Sequence, residues 1–488
     1  MIILRSWFPG IVGPVVRTMN PFKKTSRSIR NLICGTPQKP LVQIKKDIPL
    51  LTYLNHNYRK VRAAGKLGLD FGLKTHIPIS IYLESTGNDH IYAGNSFVIN
   101  GTLHHLDLEE CFSGSLIKVA AMFAAFTLRR EADVLRTDMK EGIVNVPLSK
   151  FFDKLAERVD PTSNALPLIT NAARDPQNRI PMVPSLRDIL SITDLDTAVT
   201  FTADFRGHLR RMIIRSRDCD TAECIFRLSY PYINVKLMNE GYFHRDSMKG
   251  IWLCGDYFPK DGCAKEAQES KLQYKATGQE FVRIDTVNDC TDRPPFCGSA
   301  QNTTSKEMAR LFLNILHEEL VDPTSAHEMR LLLFEAQHGS PKDTPPPTFA
   351  REDFSFLEVD PRPDANDPLH SNRATGNVAK KFSIEGVKIG QGGIKTDPDR
   401  GAIEVRSEGL IIKWKNITKD EEKDQEKDEG KDDEKFDKDL RQKFDDCKLT
   451  GEAAICWQNL SASTPNTDGI IEIINDSISN FINQAPLP

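Results

Sequence analysis

No stretch of this 488-residue chain carries the roughly 18 consecutive apolar residues of a membrane-crossing helix, so no membrane span is expected. No Cys-x-x-Cys occurs among its ten cysteines, which argues against a zinc knuckle or a dithiol redox motif. Neither a metal nor another cofactor is therefore expected. Net charge is scarce too: 64 lysines and arginines stand against 68 aspartates and glutamates, a formal charge of -4. That balance points to neither a nucleic-acid partner nor a polyanion. Charge of one sign is missing only locally. No acid precedes Asp47, whereas Arg5, Arg17, Lys23, Lys24, Arg27, Arg30, Lys39, Lys45 and Lys46 do. Such a start fits a targeting segment or a loose basic extension over 1–47, and both readings stay open. It lacks a secretory apolar core, because Pro9, Gly10, Gly13, Pro14 and Arg17 interrupt it.

At 39% hydrophobic residues the chain can bury a core, which excludes wholesale disorder. Eight cysteines form four pairs close in sequence: Cys219 with Cys224, Cys254 with Cys263, Cys290 with Cys297, and Cys447 with Cys456; Cys34 and Cys111 are left over. Local disulfides in an oxidising, extracytoplasmic compartment and buried free thiols both fit this spacing, so the compartment stays open.

Residues Ile48 to Lys66 read as a helix with Leu50, Leu51, Leu54 and Val61 on one stripe. A hairpin follows, from Ile77–Leu83 through the turn Thr86–Asp89 to a second run, His90–Val98. Gly114-Ser115 opens an Ala-rich apolar helix over Leu116–Leu128. The middle is mainly helical, with capping boxes at Thr304-Ser-Lys-Glu307 and Ser325-Ala-His-Glu328. Residues 338–375 read as a long surface loop. Strand signals return at Phe382–Ile389, Ala402–Arg406, Leu410–Lys415 and Ala453–Trp457, and a last helix carries Ile471, Ile474, Ile478 and Phe481. Within an insertion at about 417–447, Lys419–Arg441 is a mixed-charge tract that reads as solvated. The order predicts an α/β (α+β) sandwich over 48–488. An antiparallel sheet is built from both chain ends and flanked by helices, with a helical subdomain inserted at about 115–380.

Acyl transfer through serine needs a base for the hydroxyl proton, and a lysine three residues later shares its helix face. Ser115-Leu-Ile-Lys118 is the only Ser-x-x-Lys in the chain. An N-cap serine beside a surface lysine is the bland alternative. Ser216-Arg-Asp218 would supply a second hydroxyl and a polar side chain; the bland reading is a capped turn before a helix. Lys388-Ile-Gly390 would place a cation on a late edge strand, with glycine permitting close approach. Lys-x-Gly also occurs at Lys66–Gly68 and Lys260–Gly262, but only Lys388 follows the other two elements on a late strand.

In this order the three motifs resemble the Ser-x-x-Lys, Ser-x-Asn and Lys-Thr-Gly set of the class A β-lactamase and penicillin-binding family. The resemblance spans about residues 48–485 and extends to the residues around Ser115, Ser216 and Thr304. It implies Ser115 as nucleophile, Lys118 as base or proton relay, and Ser216 as proton shuttle to the leaving nitrogen. Lys388 would bind a substrate carboxylate and Gly390 and Asp218 would also contact substrate, with an oxyanion hole from the N–H of Ser115 and that of Gln391 or Gly392. The substrate would be a small molecule or peptide bearing an amide, lactam or ester. Three departures accompany it. An acid, Asp218, replaces the family's amide, and Ile389 replaces a threonine. Only Glu269, in a loose Glu-x-x-Leu-Gln match, offers the deacylating carboxylate. The alternatives are a catalytically retired binding protein with the same fold, or a DD-peptidase.

Overall fold

The computed structural model describes residues 43–67, 76–85, 89–99, 101–160, 183–244, 247, 249–253, 302–318, 320–339, 354–358, 374–397, 401–414, 449–461 and 467–485. Residues 1–42 of the basic extension, the charged tract Lys419–Arg441, Glu269 and the cysteines at 34, 254, 263, 290, 297 and 447 lie outside them.

Strand β1 (Gln43–Lys46) leads into helix α1 (Ile48–Ala63). Asp47 caps that helix by accepting from the Leu50 N–H at 2.9 Å, and Pro49 occupies its first turn, where no intrahelical N–H is needed. Gly65, at φ +70°, stops it three residues short of Lys66. Strands β2 (Ile79–Ser85) and β3 (Asp89–Gly94) pair as the expected hairpin, with Ile81 opposite Ala93. The second run does not continue straight. Asn95 turns the chain: its buried amide accepts from the Ile79 N–H and donates to the Ile77 carbonyl. Residues Ser96–Ile99 then pair with Thr102–His105 in a separate small sheet.

The main sheet is completed from the far end of the chain by β4 (Phe382–Asp397), β5 (Gly401–Trp414) and β6 (Leu449–Ser461). Its order is β1-β3-β2-β6-β5-β4, so the two ends of the chain meet where β2 pairs with β6. The β2–β3, β2–β6, β6–β5 and β5–β4 pairings are all antiparallel. The two strands expected at Ala402–Arg406 and Leu410–Lys415 are parts of the single strand β5, described as far as Trp414. The polar stretch Ser407-Glu408-Gly409 between them is buried within it, and a bulge against β6 lies between Arg406 and Glu408.

Alternation along the central strands separates two cores. Leu410 and Ile412 of β5, with Ile455 and Trp457 of β6, face helices α1 and α9 (Asp468–Ile482). Ile411, Ala454 and Cys456 face the other way. That side receives α2 (Lys118–Lys140), α3 (Phe151–Val159), α4 (Ala203–Ile214), α5 (Asp218–Leu228), α6 (Tyr230–Asn239), α7 (Ser305–Leu316) and α8 (Pro323–His338). Each fully buried Ile or Leu contributes about 1.5–3 kcal/mol, so apolar residues on both faces hold the sheet between two helical layers. Val119 to Ala125 of α2 are all buried, and the small Ala120, Ala121, Ala124 and Ala125 among them let neighbouring helices approach.

Thr304 caps α7 through the Glu307 N–H, but the Glu307 carboxylate does not complete the box; it pairs instead with Arg310 and His244. The second expected cap, Ser325, lies inside its helix. Asp322 caps α8, accepting from both the N–H and the hydroxyl of Ser325, because Pro323 is suited to the first helical position. Two cysteine pairs are also overturned. Cys224 and Cys456 are buried free thiols, as is Cys111, whereas Cys219 is disulfide-bonded. Cys219–Cys224 and Cys447–Cys456 are therefore not bridges.

Candidate active site

Short strand Glu110–Phe112 delivers the chain to a single 3₁₀ turn, Gly114–Ile117, from which α2 departs at Lys118. Ser115 sits on this turn half-buried, rather than inside the α-helix proper. The turn lies backbone to backbone on the edge strand β4. A methyl group on Gly114 would stand 2.6 Å from the Gln391 nitrogen, and one on Gly390 would stand 1.9 Å from the Ser113 carbonyl oxygen. Gly114 also has φ +52°, a conformation that costs other residues about 1–2 kcal/mol. The two glycines therefore set how closely Ser115 approaches the strand. The same contact brings the Gln391 N–H beside the turn.

Lys118 is the first residue of α2, and its side chain is wholly buried. Its Nζ donates to the Ser216 carbonyl at 2.6 Å, to the Ser216 Oγ at 3.1 Å and to the Asp218 Oδ1 at 2.8 Å. The first two motifs, about a hundred residues apart, are thus joined at one ammonium-sized point. Ser115 makes no side-chain hydrogen bond to a described residue; Lys118 bonds to Ser216 and Asp218 instead.

Ser216 lies between α4 and α5 at φ +51°, in the left-handed region that a non-glycine residue rarely adopts. Lys118 bonds to it there, and buried Asp220, in the first turn of α5, ties together the segments on either side. The Asp220 carboxylate pairs with His208 Nδ1 at 2.7 Å, Arg211 Nε at 2.9 Å and Arg217 Nε at 3.3 Å. Burial works to raise the Asp220 carboxyl, but hydrogen bonds from Arg211 and His208 and the charges of Arg211 and Arg217 outweigh it, holding it below its ordinary range. Sequence reading passed over Asp220, although a first-turn acid three residues after Arg217 was a usable signal. It also passed over the conformational demand on Gly114.

Lys388, from the third motif, is buried on β4, and its Nζ donates to the Ile213 carbonyl at 3.1 Å, at the end of α4. The edge strand is thereby tied to the helix that leads into Ser216. Ser115, Lys118, Ser216, Asp218, Lys388 and Gly390 all belong to one linked constellation, which joins the turn, β4 and the α4–α5 junction. A separate cavity of about 330 Å³ lies by β3 and α7, lined by Lys46, Tyr92, Asp107, Lys306 and Glu307 among others, and includes none of them. Among the described residues no group of His, Cys, Asp and Glu could hold a metal, and no helix is long and apolar enough to cross a membrane.

No protein-family model matches the chain, and no curated protein matches it. Among solved structures, it is similar to the chromosome-encoded β-lactamase of Vibrio parahaemolyticus, at 10% identity and a TM-score of 0.34, over 88% of this chain and 98% of that one. It is similar to penicillin-binding protein 3 of Mycobacterium tuberculosis at 9% identity and a TM-score of 0.37, over 91% of this chain and 79% of that one. A β-lactamase of Chitinophaga pinensis gives 10% identity and 0.33, over 88% and 100%.

Proposed function

We propose that the protein is a serine hydrolase of the β-lactamase-related type, forming an acyl-enzyme at Ser115 from an amide, lactam or ester. One observation carries the reading: the buried Lys118 Nζ lies within hydrogen-bonding distance of both Ser216 and Asp218, one turn from an accessible serine. In its neutral form Lys118 takes the Ser115 Oγ proton as the oxygen attacks the substrate carbonyl. The oxyanion is received by the N–H groups of Ser115 and Gln391, which the paired glycines bring close. Ser216 passes the proton from Lys118 to the leaving nitrogen or oxygen, the acyl bond breaks, and an ester to Ser115 remains. Water then hydrolyses it. Lys388 keeps the edge strand and the Ser216 loop in register for substrate.

The contacts of Lys118 also favour a second reading. The Ser216 carbonyl and the Asp218 carboxylate only accept, and a carboxylate at 2.8 Å stabilises the ammonium over the free amine. A binding protein that retains this fold would carry such an ion pair without turnover.

Treatment with a fluorophosphonate or a fluorescent penicillin, followed by peptide mass analysis, separates the two. The enzyme reading expects a label on Ser115 that disappears in Ser115→Ala and falls at least about a hundredfold in rate in Lys118→Met. A folded protein that takes up neither probe overturns it in favour of the binding protein. A penicillin label that persists for hours identifies slow deacylation of the penicillin-binding kind, whereas the fluorophosphonate label is permanent in either case.

A further inference from the structure

We infer that Asp218 makes this cleft select acyl donors with a free ammonium group, that is, aminoacyl amides or esters and peptides with an unblocked amine near the scissile carbonyl. The inference rests on the hydrolase reading above and adds the substrate class.

Chemistry at position 218 carries it. An amide there could donate to a substrate carbonyl as well as accept, whereas a carboxylate only accepts and is negatively charged. Asp218 Oδ1 is engaged with Lys118 Nζ at 2.8 Å, while its side chain is 67% exposed and its Oδ2 makes no hydrogen bond to a described residue. One oxygen of the carboxylate thus faces the buried base, which lies three residues after Ser115, and the other belongs to a largely exposed side chain and is left for a ligand. Nearby cations do not compete for it. His208, Arg211 and Arg217 are drawn to Asp220, whose side chain is buried on the helix side of the same loop. A substrate carbonyl brought to Asp218 meets like partial charge, and a substrate ammonium meets a charge-assisted acceptor.

A second consequence follows for the base. Lys118 must lose its proton to act, and that loss leaves Asp218 as an uncompensated anion. A substrate ammonium on Oδ2 supplies the missing positive charge and repels the proton on Lys118. The right substrate therefore both binds and frees the base, whereas an N-acylated analogue does neither.

The test compares Ser115-dependent hydrolysis of alanine p-nitroanilide and N-acetylalanine p-nitroanilide, in both enantiomers, by wild type and Asp218→Asn. A free-amine preference of at least about tenfold in kcat/KM is expected for wild type, and its loss or inversion in Asp218→Asn. Where neither anilide turns over, alaninamide and N-acetylalaninamide are compared as inhibitors of fluorophosphonate labelling at Ser115. Only alaninamide should protect wild type, and neither should protect the variant by charge. Equal use of the two ligands, a preference for the acetylated one, or an unchanged preference in Asp218→Asn overturns the inference while leaving Ser115 labelling, and so the hydrolase reading, intact. Absence of any label on Ser115 removes both.

Discussion

Gly390→Ala is the sharpest probe of how Ser115 is placed. The added methyl would stand 1.9 Å from the Ser113 carbonyl oxygen and 2.8 Å from the Leu116 nitrogen, both main-chain atoms that cannot swing aside. Carbon contacts below about 3.0 Å are not sustained, so turn and strand must separate by more than an ångström. Strand β4 is paired with β5 along its length, Gly390 opposite Ser407, so the single 3₁₀ turn is the softer partner and moves. Overpacking of this kind costs about 1–3 kcal/mol. A displacement of about 1 Å at the reacting group costs about a hundredfold in rate. Urea unfolding gives the first quantity, and the second-order rate of fluorophosphonate labelling at Ser115 gives the second. Gly451→Ala is the control, because its methyl would find nothing nearer than 3.5 Å and should alter neither. If Gly390→Ala melts like wild type and labels within about twofold of its rate, the glycine contact does not position Ser115 and the argument fails.

Asp220→Ala removes the carboxylate that holds His208, Arg211 and Arg217, and should cost about 1–3 kcal/mol, below the cost for a fully buried pair because Arg211 and Arg217 reach solvent. Labelling at Ser115 should slow in parallel as Ser216 leaves its left-handed conformation; an unchanged labelling rate despite lower stability would show that the loop holds itself. Burial first, and then the charge of Arg330, push the His317 imidazole down to about 4. The unfolded chain takes up that proton near pH 6.5 and the folded protein does not until about pH 4, so stability falls as pH drops through this window. Thermal midpoints measured across pH 4–7 should therefore decline less steeply in His317→Asn, and parallel curves would refute the assignment.

The sheet was readable where burial and period agree. β2, β6 and the later half of β5 carry apolar side chains on both faces, so each appears as a compact run with turn residues beyond it. Polar residues hid the rest. Ser407, Glu408 and Gly409 look like a break, yet they are buried within β5, where Glu408 accepts from the Phe356 N–H and neighbouring Arg406 lies over the Phe356 ring. Partners so distant in sequence leave no local trace. The same holds for cysteines: Cys224 and Cys456 are placed by helix and strand faces that point into the core, which spacing along the chain cannot express. At the candidate site, the residue types and their order were legible, because each motif is short. What the sequence concealed was the mode of contact. Lys388 was expected at a substrate carboxylate, and its present bond is to the Ile213 carbonyl, a main-chain atom with no sequence signature.

The bonds from Lys118 to Ser216 close a segment of about a hundred residues, and β4 joins them only after most of the chain has followed. Contacts of such separation are assembled late, once the intervening helices have docked and the entropy of loop closure has been met. A nascent or damaged chain therefore contains Ser115 as an ordinary hydroxyl, with neither base nor oxyanion donors beside it. On the proposed hydrolase reading, reactivity is withheld until the fold is complete, and it disappears with the first large-scale opening. Acylation of Ser115 would thus double as a census of intact molecules, counting only those in which both ends of the chain have found each other.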